Sequence, residues 1–193
     1  MSEEWLATSE LHGPAFAAPE APGPRLVLFG AVELAGALST LGRVLGWRAY
    51  VVDPRERFAL AERFPDAEEV VVAWPEEAFA RLGGIDEDTA VAVLTHDPVL
   101  DDLALIIALR SPAVFVGAMG SRRTQAGRRE RLVAAGLGEA ELARLSGPIG
   151  LDLGARSAAE TALSIMGEIV AVRSGRSGGR LTAGEGAIRP VQT

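Results

Sequence analysis

Short apolar runs rich in valine and alanine recur along this chain, separated by longer stretches with helical spacing. The runs at 25–29, 48–52, 69–73, 90–94 and 113–116 read as buried strands, because neither face of them is consistently polar. Helical patterns fill 34–45, 55–63, 76–81, 99–109 and 122–135. Regular alternation of strand and helix predicts a parallel sheet with helices on both faces and the first strand central. The expected fold class is α/β: a single Rossmann-like, doubly wound domain.

Two helix starts are written in the local chemistry. Asp97-Pro98 sets an N-cap acid before a proline suited to the first helical position, with Asp101 and Asp102 soon after. Ser157-Ala158-Ala159-Glu160 is a capping box that opens a helix through about Arg173. Leu163, Met166, Ile169 and Val170 form its apolar stripe and are expected in the core. Residues 1–24, rich in Ala, Pro and Gly, are expected to be a flexible tail. The domain is expected over 25–175. A second flexible tail over 176–193 begins with a Gly, Ser and Arg mixture.

Composition narrows the function. The chain has 193 residues, 48% of them hydrophobic, enough for a sizeable core. No stretch is long and apolar enough to span a membrane, and the first residues are acidic where a secretory signal is basic. A cytoplasmic protein is expected. With no cysteine, the chain has neither disulfides nor thiolate chemistry, and its two histidines, His12 and His96, cannot form a His-rich metal site. The net charge of −7 argues against nucleic-acid binding. All 19 basic residues are arginine.

The richest chemistry lies at Val116-Gly117-Ala118-Met119-Gly120-Ser121-Arg122-Arg123-Thr124. An apolar strand runs into a turn with two glycines and then an arginine-rich helix. Glycine lets backbone N–H groups approach a ligand, a helix start carries the positive end of the dipole, and the arginines add charge. Gly117, Gly120, Ser121, Arg122 and Arg123 are therefore candidates for a phosphate or other anion site. The alternative is a plain strand-to-helix turn with solvated arginines.

Three other segments accompany it. Gly30-Ala31-Val32-Glu33-Leu34-Ala35 keeps the first and last small positions of a dinucleotide fingerprint, but Val32 stands where the middle glycine admits the pyrophosphate. Asp53 ends the second strand, where an acid would meet a ribose, and Arg55 could meet a 2′-phosphate instead. Thr95 and His96 end the fourth strand, on the side where doubly wound sheets bind ligands. His96 could hold an anion or transfer a proton. No second histidine, lysine or thiol completes a catalytic set, which favours binding over catalysis. Gly147-Pro148-Ile149-Gly150-Leu151-Asp152-Leu153-Gly154-Ala155-Arg156 could carry a short sixth strand, with Asp152 and Arg156 either functional or paired with each other.

Val-Val-Asp-Pro-Arg at 51–55, Thr-His-Asp at 95–97, Gly-Ala-Met-Gly-Ser-Arg-Arg-Thr at 117–124 and Pro-Ile-Gly-Leu-Asp-Leu-Gly-Ala-Arg at 148–156 together resemble the XdhC/CoxI family. These are accessory factors of xanthine dehydrogenase and related molybdenum hydroxylases. The likeness covers about 25–175, the family's Rossmann-type C-terminal domain. It implies a non-enzymatic factor that binds molybdenum cofactor, protects it during sulfuration and helps insert it into the apo-hydroxylase. A cysteine desulfurase is an implied further partner, and a homodimer an implied assembly. It makes the Gly117–Arg123 loop the seat of the pterin phosphate or a dinucleotide phosphate. With the residue reading above, the candidate ligand residues are Gly30, Asp53, Thr95, His96, Gly117, Gly120, Ser121, Arg122 and Arg123.

The chain departs from the family at the first loop, usually Gly-Ala-Gly-His and here Gly30-Ala31-Val32-Glu33. Glu33 puts a negative charge beside the expected anion site. The family's cysteine-bearing N-terminal domain is expected to have no counterpart in the Pro- and Ala-rich residues before the first strand. Two alternatives remain: an NAD(P)-dependent oxidoreductase, which Val32 disfavours, and a partner-binding assembly module without nucleotide.

Overall fold

The computed structural model describes residues 23–183 and Ile188. Of the two expected tails, 1–22, 184–187 and 189–193 lie outside the described residues. Six parallel strands form one sheet in the order β3-β2-β1-β4-β5-β6. They are β1 (Arg25–Phe29), β2 (Arg48–Val52), β3 (Glu69–Val71), β4 (Thr89–Val93), β5 (Phe115–Ala118) and β6 (Leu145–Ser146). This is the doubly wound order, with β1 central and the direction of winding reversing between β1 and β4. Strand length tapers from five residues at β1 and β4 to three at β3 and two at β6.

Pleating sorts the strand residues into two cores. Leu26 and Leu28 face α1 (Glu33–Val44) and α6 (Ala158–Arg173), where they join Leu38, Ile165, Met166 and Ile169. Val27 and Phe29 face the other side, toward α2 (Pro75–Arg81), α3 (Pro98–Leu109) and α4 (Arg122–Ala134), among Phe79, Leu100, Leu105 and Leu132. Alternate residues of one strand thus serve both layers, which explains the absence of a polar face in the sequence. A short α5 (Glu139–Leu142) precedes β6.

Several boundaries differ from the sequence reading. The helix expected over 55–63 does not form; only Ala61–Arg63 makes a single 3-10 turn. The carboxylate of Asp53 accepts the Arg55 N–H at 3.0 Å, and its hold on Arg55 bends the chain away from a helical start. The fifth strand runs two residues later than expected, taking Gly117 and Ala118 into the ladder. The sixth strand precedes Gly147 instead of following it. The capping box at Ser157 and Glu160 forms as read. Its helix turns differently, however: Ala162, Ile165, Met166 and Ile169 are buried, whereas Leu163 and Val170 are 54% and 42% exposed.

Candidate functional site

The carboxyl ends of β1, β2 and β4 meet the first turns of α1 and α6 in a cleft of about 680 Å³. Val32 and Glu33 contribute from the β1–α1 turn, Arg55 from beyond β2, and Thr95, His96 and Asp97 from beyond β4. Ala158, the first residue of α6, completes the wall. This is the switch-point position at which doubly wound sheets bind ligands.

Gly30 lies beneath the cleft. Its φ of +116° is one that side-chain-bearing residues avoid, and a Cβ there would stand 2.5 Å from Thr95 Cγ2. The first turn and the end of β4 are therefore in direct contact. Val32 precedes α1 without a side-chain capping bond and lines the cleft itself.

Asp53 is fully buried, and both of its oxygens are taken. Oδ2 accepts the Ala31 N–H at 3.0 Å and Arg55 Nη2 at 2.8 Å; Oδ1 accepts the Arg55 N–H at 3.0 Å and Nε at 2.8 Å. Burial alone would raise its pKa, but the bonds from Arg55 and Ala31 outweigh it and hold the carboxyl below its ordinary range. The Arg55 guanidinium also lies over the Phe58 ring, 4.8 Å from its centre.

Thr95 is buried, and its hydroxyl is committed: it donates to Asp101 and accepts the Asp97 N–H at 3.2 Å. Asp97 caps α3 as expected, its Oδ1 accepting the Val99 N–H at 3.0 Å. His96 is exposed on the cleft wall.

The turn after β5 is held from below. Ser121 caps α4 by accepting the Thr124 N–H at 3.1 Å. Gln125 Nε2 donates to the carbonyls of Ala118 at 3.0 Å and Met119 at 3.2 Å. Arg128 Nη1 donates to the Met119 carbonyl at 3.0 Å and to Gln125 Oε1 at 2.6 Å, while Nη2 reaches Asp101 Oδ2 at 3.0 Å. Thr95 and Met119, at the ends of adjacent strands, are thus linked through the buried Asp101–Arg128 pair. Burial pushes the Asp101 carboxyl up, against the opposing pull of Thr95 and Arg128. Gln125 and Arg128 were not singled out from the sequence, and Asp101 was read only as an acid of the helix start. The available signal was spacing: Arg128 stands one helical turn before Leu132, on the buried side of α4.

The predicted site residues fall into three groups. Thr95 and His96 line the cleft, and Gly30 and Asp53 support its floor. Gly120, Ser121, Arg122 and Arg123 belong to the turn and helix start beyond β5 and are not among the cleft-lining residues. Arg122 and Arg123 are exposed, with no ion pair to either among the described residues. Gly117 lies inside β5, where a Cβ would stand 2.6 Å from Ile149 and 2.8 Å from Phe115; close packing is why it is glycine. Asp152 and Arg156 are exposed and form no salt bridge with each other. Among the described residues no cluster of His, Asp or Glu could hold a metal, and no helix is long and apolar enough to cross a membrane.

Residues 26–169 match the XdhC Rossmann domain. The chain is 30% identical over 152 residues to a Bacillus subtilis protein named as a probable subunit of xanthine dehydrogenase, covering 79% of this chain and 44% of that protein. It is 29% identical over 152 residues to the molybdenum cofactor insertion chaperone PaoD of Escherichia coli, covering 79% and 41%. A crystal structure described as a xanthine dehydrogenase from Bacillus halodurans superposes with a TM-score of 0.68 at 27% identity, covering 85% of this chain and 46% of that one. The chain spans less than half the length of each of these relatives. With all of its sheet but Arg25 inside the matched region, the chain belongs to the XdhC family through its Rossmann domain.

Proposed function

We propose that this chain is an accessory factor for molybdenum hydroxylases, which holds molybdenum cofactor as cargo and aids its maturation or insertion. The observation that carries this reading is a roomy cleft at the switch point of an XdhC-type sheet, with a free arginine pair opening the helix on the neighbouring strand. The kinship with a cofactor insertion chaperone supports it. In this reading the pterin phosphate binds the turn at Gly120, Ser121, Arg122 and Arg123, where a capped helix start and two guanidinium groups offer donors. Thr95 and His96 border the rest of the cargo. Gly30, Asp53 and Gly117 act indirectly: Gly30 by its backbone and Asp53 by its carboxylate shape the first turn, and Gly117 lets Ile149 pack on β5 beside the anion turn. In this reading the chain's own residues bind and shield the cargo.

Partners in this reading are an apo-hydroxylase and a cysteine desulfurase, with a homodimer as the carrier. The test is purification of the chain from cells that make the cofactor, followed by measurement of molybdenum and released pterin. Cofactor near one equivalent, with faster activation of an apo-hydroxylase when the chain is present, is expected. Cofactor-free protein that activates nothing overturns the reading.

A further inference from the structure

The cleft has an unusual charge balance for a phosphate site. Its one guanidinium, Arg55, is already chelated by Asp53 through Nε and Nη2. Facing it are two carboxylates, Glu33 and Asp97. No salt bridge engages Glu33 among the described residues, and Asp97 uses only Oδ1 to cap α3, leaving Oδ2. A phosphate placed there would meet two like charges, with a cation whose charge is already neutralised. The cleft is therefore rich in acceptors and poor in free positive charge. Free positive charge lies one strand further on, at Arg122 and Arg123.

Resting on the cargo reading above, we propose that the cleft receives the N–H-bearing edge of a planar ring, with Glu33 and Asp97 accepting from a 2-aminopyrimidin-4-one, the edge shared by pterins and guanine. That edge offers a ring N–H beside an exocyclic amine, and a carboxylate accepts both at once. Arg55, its guanidinium over the Phe58 ring and fixed by Asp53, offers a planar neighbour to such a ring. The volume of about 680 Å³ lies within the range of small-molecule pockets. Glu33, an anomaly beside a phosphate, becomes a reader of ring donors. The division of labour follows: the cleft reads the ring, and the β5 turn holds the phosphate.

The full chain is titrated with 6-hydroxymethylpterin by fluorescence quenching, and with guanosine, adenosine and inorganic pyrophosphate by calorimetry. Pterin and guanosine are expected to bind, with adenosine at least tenfold weaker because its ring nitrogens accept where the others donate. Glu33→Gln should weaken pterin binding at least tenfold at an unchanged melting temperature, since Glu33 is exposed, and should leave pyrophosphate binding as it was. Failure of both pterin and guanosine to bind overturns the inference. So does equal pterin affinity in Glu33→Gln, or tighter pyrophosphate binding in that variant with displacement of pterin. A clear preference for guanosine sustains the ring-edge inference and overturns the pterin cargo. Conversely, if cells load Glu33→Gln with pterin cofactor as fully as wild type, the inference fails and the cargo reading stands.

Discussion

Arg128 donates to Asp101 at 3.0 Å with each side chain only 2% exposed, so a charged pair sits inside the seam between α3 and α4. Removing one member leaves the other buried without a counter-charge, which costs far more than the pair contributes. Asp101→Ala is expected to lower stability by about 3–5 kcal/mol in urea unfolding. The double variant Asp101→Leu with Arg128→Met should recover most of that loss. Equal losses in the single and double variants would refute the pairing argument.

Gly30→Ala should be costly although it adds one methyl group. The position has φ +116°, and the new Cβ would press on Thr95 Cγ2. We expect a loss of about 1–3 kcal/mol from the strained backbone. Thr95→Ser, which removes that methyl, should relieve the steric part of the loss but not the conformational part. Melting temperatures of the two single variants and the double variant separate the two.

Asp53 gives a pH signature. Its carboxyl titrates below the ordinary value of 3.8 in the folded chain, so its stabilising contribution is complete above that value and is lost as pH falls through the lower folded one. The stability gap between wild type and Asp53→Asn should be full at neutral pH and narrow below 3.8. A gap independent of pH would show that the carboxylate's charge is immaterial.

Nicotinamide dinucleotides are expected to bind no tighter than millimolar. Val32 stands on the cleft wall where a glycine would admit the pyrophosphate, and the Asp53 oxygens that would hold a ribose are occupied by Ala31 and Arg55. Val32→Gly should improve binding without reaching the micromolar range, because Asp53 stays engaged. Micromolar NAD(H) or NADP(H) binding by the unaltered chain, measured by calorimetry, would contradict this.

Arg122→Ala should weaken retention of the pterin phosphate by about 1.5–3 kcal/mol, the range for a hydrogen bond to a charged group. Released pterin after purification in one fixed salt concentration is the measure. Because Arg122 is exposed at the start of α4, the melting temperature should hardly change. Unchanged pterin content would remove Arg122 from the site.

The layered fold was legible because its strands are buried on both faces and so stand out as apolar runs, and because Asp97 and Ser157 announce their helices. The segment at 55–63 misled because helical spacing is a local property, whereas the Asp53 side chain competes for Arg55. β6 was missed at 145–146 because two residues carry no periodicity. Thr95 and His96 were legible as strand-end residues of the cleft. Arg128 was not: an arginine in an arginine-rich helix reads as solvated, and only the position of Asp101 in three dimensions reveals its burial. Gly117 was legible as important but for another reason, since the demand on it comes from Ile149, far away in sequence.

The taper of the sheet bears on how this chain meets other proteins. With three residues at one rim and two at the other, little unpaired backbone is offered for a foreign strand to extend. The architecture protects itself against templated aggregation at both sides. Under the proposed role, a client enzyme or a second copy would then be engaged through helix surfaces and loops, whose specificity side chains set, and not by continuation of the ladder.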